Sequence, residues 1–227
     1  MNRRCRSAAA AVAAIAACGL AAAVAQALVP PPGTPDLAKM TLQASDLAPG
    51  AVVLDGYVKP GAREVAQYDR TFTSVATTGG VKLELIQTQL ALAASTPDAI
   101  SLFRGARSLF ASKQGRSELV AEVVAGAGTS VPRADITVHF GKLRELGIGD
   151  QSSLASVRLR VKQRVSTLYS ALLRIGNVVA TVTVIALRAH LAASVPTGLA
   201  QSVAAHITAV LAATGPTGPT GPTAATG

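Results

Sequence analysis

The chain has no tryptophan, and its aromatic side chains are limited to three tyrosines and four phenylalanines. Proteins that hold single-stranded nucleic acid stack its bases on aromatic platforms. This chain supplies few, so nucleic acid is not an expected partner in spite of the basic balance. Cysteine is scarcer still: Cys5 and Cys18 are the only two. Both lie near the N-terminus, so the rest of the chain has no disulfide, no thiol nucleophile and no thiolate metal ligand. The only histidines are His139, His190 and His206. No two of them form a His-x-x-x-His or H-x-x-E-H pair, so a zinc site is poorly provided for. No G-x-S-x-G elbow occurs. "GIGD" at 147–150 and the short "GAG" run are too generic for a phosphate-cradling loop, and the former precedes a strand rather than a helix. These absences leave no catalytic set and imply no metal and no cofactor. The chain reads as a non-enzyme.

What is present begins with a basic leader. Arg3, Arg4 and Arg6 precede an apolar, alanine-dominated run from Ala8 to Val24, and small residues follow at Ala25-Gln26-Ala27. A basic region, an apolar region and an A-x-A site in that order make a secretory signal over residues 1–27. The same stretch holds a rival, because Ile15-Ala16-Ala17-Cys18 has the form of a lipobox in which Cys18 would take the lipid. The residues after Cys18 stay apolar, whereas a lipoprotein usually continues into a polar tether. Release after Ala27 is therefore the favoured expectation, giving a secreted or extracytoplasmic protein; a membrane anchor through Cys18 is the alternative. Of 21 basic residues three fall in the leader, which leaves 18 against 12 acidic ones, a net +6. That balance suits contact with anionic lipid or cell-wall polymer, and equally suits plain solubility.

Pro30, Pro31, Pro32 and Pro35 stiffen a linker over 28–41, and "GPTGPTGPT" opens a tail over 214–227 that is too short for a triple helix and reads as disordered. Between them, 42–213 has the length of one domain with one core. Period-2 segments at 51–58, 64–74 and 81–92 predict strands, separated by turn residues. Residues 97–113 change period: Ala99, Leu102, Phe103, Ala106, Leu109 and Phe110 share a helical face, with Thr96 as N-cap and Lys113 and Gly115 as the stop. The stretch 118–125 fits a short helix or an extended run. Strands follow at 135–142, 153–161, 165–175 and 178–188, then a helix at 197–213. Gly176-Asn177 makes a two-residue hairpin loop that sets Ile175, Leu173, Ala171 and Tyr169 opposite Val178, Ala180, Val182 and Val184 on one core face. Arg174, Ser170, Thr181 and Thr183 take the other face, where Leu168, Leu172 and Ile185 are out of place. The expectation is an α+β fold: an antiparallel sheet of six to seven strands in a βββα–ββββα order, with two main helices packed on it.

The order of "LQASDLAPGAVVLDGYV", "YDRTF", a helix, "LGIGDQS" and the hairpin "LLRIGNVVATVTV" before an Ala-rich helix resembles that of exported actinobacterial domains of the PsbP-like fold. LpqN-type lipoproteins and the extracytoplasmic sensor domain of PknH-type kinases are examples. The chain lacks the cysteines that pair in the kinase sensor domain, and no signalling role carries over. The resemblance implies a non-catalytic binding or accessory domain of the cell envelope.

Two stretches offer binding chemistry. In "YDRTF", Tyr68, Arg70 and Phe72 fall on one strand face, which puts an arginine among side chains that belong inside. It must meet a carboxylate, with Asp55 and Glu84 as candidates, or an anionic ligand. In "RLRVKQR", Arg158, Arg160, Lys162 and Arg164 alternate with Val157, Leu159 and Val161. Period 2 sets these cations on one outer face, either a solvated edge or a docking surface for anionic polymer or lipid. Beside a binding role, a carrier of lipid or another apolar ligand, with a cavity between sheet and helices, is the alternative function.

Overall fold

The Gly176-Asn177 loop closes the hairpin in the register its length dictates. Leu173 pairs with Ala180, Ala171 with Val182 and Tyr169 with Val184, and Gly176 takes a positive φ of 59°. The computed structural model describes residues 29–47, 51–76, 82–126, 131–187 and 191–214. The leader with Cys18, and the Gly-Pro-Thr tail from residue 215, lie outside these residues.

Among the described residues the fold is α+β, with an antiparallel sheet of eight strands and with four helices. The strands are β1 (Ala51–Val58), β2 (Glu64–Ala76), β3 (Lys82–Ala93), β4 (Ile136–Phe140), β5 (Arg144–Glu145), β6 (Gln151–Val161), β7 (Arg164–Ile175) and β8 (Val178–Leu187). They lie in the order β1-β2-β3-β8-β7-β6-β4, with the short β5 pairing the other end of β6. The helices are α1 (Leu37–Met40), α2 (Thr96–Ala111), α3 (Lys113–Gly126) and α4 (Ser194–Thr214).

The two-residue β5 was not expected and brings the sheet to eight strands against the six to seven anticipated. Three further elements differ from expectation. First, α1 falls within the expected linker, yet Leu37, Met40 and Leu42 are wholly buried. Asp36 caps it, accepting from the N–H groups of Ala38 and Lys39, so the domain begins before residue 42. Second, α2 starts one residue early. Ser95 is its N-cap, and its Oγ accepts from Asp98 N at 3.3 Å. Third, the chain does not leave the helical layer at Lys113 but turns at Ser112 directly into α3. Gly115 allows this turn, since a Cβ there would sit 2.5 Å from Leu109 Cα and Ser108 O. The order is thus βββαα followed by five strands and a helix.

The helices do not share a side of the sheet. α4 packs on β7 and β8, and α1 on β2 and on α4, while α2 packs on β3, β7 and β8 from the opposite side with α3 beside it against β4. This explains Leu168, Leu172 and Ile185, the apolar residues on the face expected to be outward. All three are buried, under the α2–α3 layer.

The two sides are unequally packed. On the α4 side one continuous core joins Phe72, Ile86, Leu90, Leu173, Val182, Val203 and Ile207. On the α2–α3 side the apolar residues divide into three smaller groups, around Phe103 and Leu172, around Leu168 and Ile185, and around Val123 and Leu159. α4 has the length and composition to cross a membrane, with a mean hydropathy of 1.3. Its Pro196, Ala200, Val203, Ala204 and Ile207 are nevertheless buried in this domain.

Candidate functional site

Polar residues on the α2–α3 side separate the group around Phe103 and Leu172 from the one around Leu168 and Ile185. Strand pairing sets Asp69, Gln89 and Thr181 in one row across β2, β3 and β8, and Thr71, Gln87, Thr183 and Ser170 in the next row across β2, β3, β8 and β7. Helices cannot close over such a floor by apolar contact, and a cavity of about 170 Å³ remains. Its walls are Ala106, Leu109 and Phe110 of α2, Leu119 and Val123 of α3, and Val138 and Phe140 of β4. Its floor is Gln87, Gln89, Ser170, Thr181 and Thr183 with Val157, Leu168 and Leu172.

The floor carries unmet hydrogen-bonding capacity. Gln87 is 2% exposed, and its Nε2 has no partner. In the same rows, Thr71 Oγ1 and Asp69 Oδ1 are also buried and unpartnered. Gln89 Nε2 donates to Asp69 Oδ2 at 3.3 Å. Burial pushes the Asp69 carboxyl above the usual carboxylate range, against the lowering effect of hydrogen bonds from Gln89 and Gln67. An apolar chamber with a few convergent polar groups is the ordinary form of a small-molecule site.

Tyr68, Arg70 and Phe72 lie on the opposite side of the sheet, facing α1. Asp55, directly across from Arg70 on β1, forms the ion pair expected of a buried arginine: Nε and Nη2 donate to its Oδ1 and Oδ2 at 3.0 and 3.1 Å. Nη1 donates to the carbonyls of Ala38 and Leu42 and to Gln43 Oε1, at 3.3, 3.1 and 3.1 Å. Nη2 also reaches the Tyr68 hydroxyl at 3.3 Å, and that hydroxyl donates to Asp55 Oδ1. Each nitrogen of the guanidinium thus donates within the protein, and Phe72, 2% exposed, belongs to the core. The arginine ties α1 and residues 41–43 to the sheet. Its bonds are those of a structural clamp, with Asp55 as the carboxylate that the sequence offered as one alternative to an anionic ligand. Burial, and next the bond to Asp55, push the Tyr68 pKa up to about 12.

The four cations of the basic run do not share one face. Arg158 and Arg160 are exposed on the α4 side of β6, with His139 and Thr137 of β4 directly across from them. Lys162 sits in the β6–β7 turn with φ 55°. Arg164 opens β7 opposite Val161, on the α3 side. The turn breaks the alternation that the expected single face requires. Val157, Leu159 and Val161 point to the α2–α3 side, where Leu159 and Val161 join Val123.

A second, more open recess of about 370 Å³ lies between α2 and the loop after β5, lined by Arg104, Arg107, Glu145, Asp150 and Gln151 among others. Arg107 is paired with Glu145 at 2.7 Å. Asp150 accepts from Arg174 Nη1 and from Gly176 N at 2.9 and 2.8 Å, which locks this loop to the hairpin. Among the described residues no group of His, Cys, Asp and Glu is arranged to hold a metal ion. His206 Nδ1 lies 2.8 Å from Thr41 O and braces α4 against the segment after α1.

Sequence reasoning raised a cavity between sheet and helices as an alternative but did not place it on this side of the sheet or name its lining. The available signal was the set of three large apolar residues, Leu168, Leu172 and Ile185, on a face otherwise read as outward. Comparison with protein-family models finds none that matches the chain, and comparison with curated proteins finds no match either.

Proposed function

We propose that the protein is an exported, non-enzymatic binding domain of the cell envelope that takes up a small apolar molecule between its sheet and the α2–α3 layer. The observation that carries this reading is the 170 Å³ cavity, apolar in its walls and polar on its floor, with a buried amide nitrogen left without a partner. A cavity of about 150 Å³ lined by apolar side chains is large enough to hold benzene. Export is inferred from the three-part leader, with release after Ala27 preferred to lipidation at Cys18. The resemblance to PsbP-like envelope domains points to the same compartment and to binding rather than catalysis. No cofactor is invoked.

The exposed Arg158 and Arg160, with His139 beside them, support a second, separate contact in which this edge meets anionic lipid or cell-wall polymer. Lys162 in the adjoining turn extends the positive surface; Arg164, on the other side, does not belong to it.

The carrier reading is tested on purified protein by native mass spectrometry and organic extraction. A co-purifying small apolar molecule, or saturable uptake of an apolar fluorescent dye, is the expected result. Ala106→Phe fills the cavity from α2 and should abolish uptake while leaving the melting temperature level or higher. Uptake unchanged by Ala106→Phe would refute the cavity as the binding place.

A further inference from the structure

We infer that the cavity selects small neutral molecules whose polar end accepts a hydrogen bond, such as a ketone, ester, amide or alcohol, and excludes carboxylates and phosphates. This rests on the carrier reading above and adds the chemistry of the head group.

Three observations lead there. The first is Gln87. A primary amide nitrogen offers two donors. The Gln87 side chain forms part of the cavity floor, and its nitrogen is buried with no acceptor in the protein, so it serves a ligand once the terminal amide turns toward the cavity. A buried donor without a partner has given up its water for nothing, and a ligand oxygen restores the loss. Ser170 and Thr183, its neighbours in the row, carry hydroxyls that both donate and accept, so an alcohol is accommodated as well as a carbonyl.

The second is charge. No Lys, Arg or His is among the residues lining the cavity. Arg116 stacks on the wall residue Phe140 and donates to Phe110 O without itself lining the cavity. An anionic head group on the floor would therefore have no counter-charge among the lining residues, which is the costly case. Asp69 adds to this. It stands across from Gln89, in the row beside Gln87, with one carboxylate oxygen already unpartnered. Burial raises its own pKa, which marks a place where negative charge is disfavoured.

The third is size. At about 170 Å³ the chamber suits a molecule of roughly six to nine non-hydrogen atoms. Leu109, Phe110 and Leu119 are among its apolar walls.

Three probes of matching shape test the inference on the full chain by calorimetric titration near neutral pH: acetophenone, its apolar isostere cumene, and its anionic isostere benzoate. Acetophenone should bind, and benzoate should not bind at concentrations that saturate acetophenone. Gln87→Met keeps the length of the side chain and removes the donors. It should weaken acetophenone by about tenfold or more while cumene binds as well or better. Gln87→Leu serves as the second variant, and both should fold at least as stably as the parent, since each removes an unsatisfied polar group. Benzoate binding as tightly as acetophenone, or equal changes for acetophenone and cumene in the Gln87 variants, would overturn the head-group assignment and leave the carrier reading standing. Failure of both neutral probes to bind the unaltered protein would sink the carrier reading itself, and the assignment with it.

Discussion

Replacing Arg70 by methionine removes a charged side chain that joins β1, β2 and the segment carrying α1. The Arg70 side chain is 12% exposed and that of its partner Asp55 39%. Breaking a buried ion pair by removing one member costs about 3–5 kcal/mol. Asp55 keeps water along one edge, so the lower end of that range applies. The carbonyls of Ala38 and Leu42 lose their donor too, at about 1 kcal/mol for each acceptor left buried, while the methionine stem retains part of the packing. The net expectation is a loss of about 4 kcal/mol. With a urea m-value of about 2 kcal/mol/M, the unfolding midpoint should fall by about 2 M. Arg70→Lys is the sharper test, because a single ammonium keeps the charge but cannot serve Asp55 and the α1 carbonyls at once. It should lose most of the same stability. In a double-mutant cycle with Asp55→Asn, the coupling should be about 2 kcal/mol. If Arg70→Lys stays within about 0.5 kcal/mol of the parent, the clamp does not depend on the planar fork, and the account of this site is wrong.

Other outcomes follow from the same structure. The folded pKa of Tyr68, about 12, lies above the ordinary value of 10.0, so its contribution is complete below pH 10 and disappears as pH rises through 12. Tyr68→Phe should therefore flatten the loss of stability over that range, read by thermal melts alongside tyrosinate absorbance; an unchanged slope refutes it. Leu173→Asp places a charge at a position with no exposure in the α4-side core and should cost about 4 kcal/mol or more, enough to depress the far-ultraviolet dichroism melt severely. Changing Arg158, Arg160 and Lys162 together to glutamine should move thermal stability by less than about 0.5 kcal/mol while abolishing any low-salt binding to anionic vesicles. Unfolding of that variant would mean that the side chains are not on an outer face.

The strands and the central hairpin were legible because period 2 and a two-residue loop leave little freedom: once Ile175 faces Val178, every pair down to Tyr169 and Val184 is determined. α2 was legible from its spaced Ala99, Phe103 and Ala106. α1 was not, because a proline-rich context masked four residues, although Asp36 ahead of Leu37 and Met40 was a usable cap-and-core signal. β5, two exposed residues, carries no pattern at all. The larger failure concerned faces. Ser170, Thr181 and Thr183 look solvated when alternation is the only guide, and nothing in a strand's sequence says whether a helix lies above its polar side. Arg70 was legible as an anomaly, and Asp55 as one of its two possible partners. The clamp on α1 was hidden because the acceptors at Ala38 and Leu42 are backbone oxygens, which every residue has.

The unequal packing of the two sides of the sheet has a consequence for how the molecule breathes. Local opening costs least where buried apolar contacts are few and divided. α2 and α3 rest on three small apolar groups, linked through half-buried Phe110 and Val138 around a void, whereas α4 rests on one continuous core. Amide protons of α2 and α3 should therefore exchange with solvent by partial opening, at a free energy well under that of global unfolding. Those of β7, β8 and the middle of α4 should wait for the whole domain to unfold. Binding in the chamber would slow exchange in α2 and α3 selectively, so passage of a molecule in or out needs only the weaker layer to lift while the sheet and α4 hold their shape.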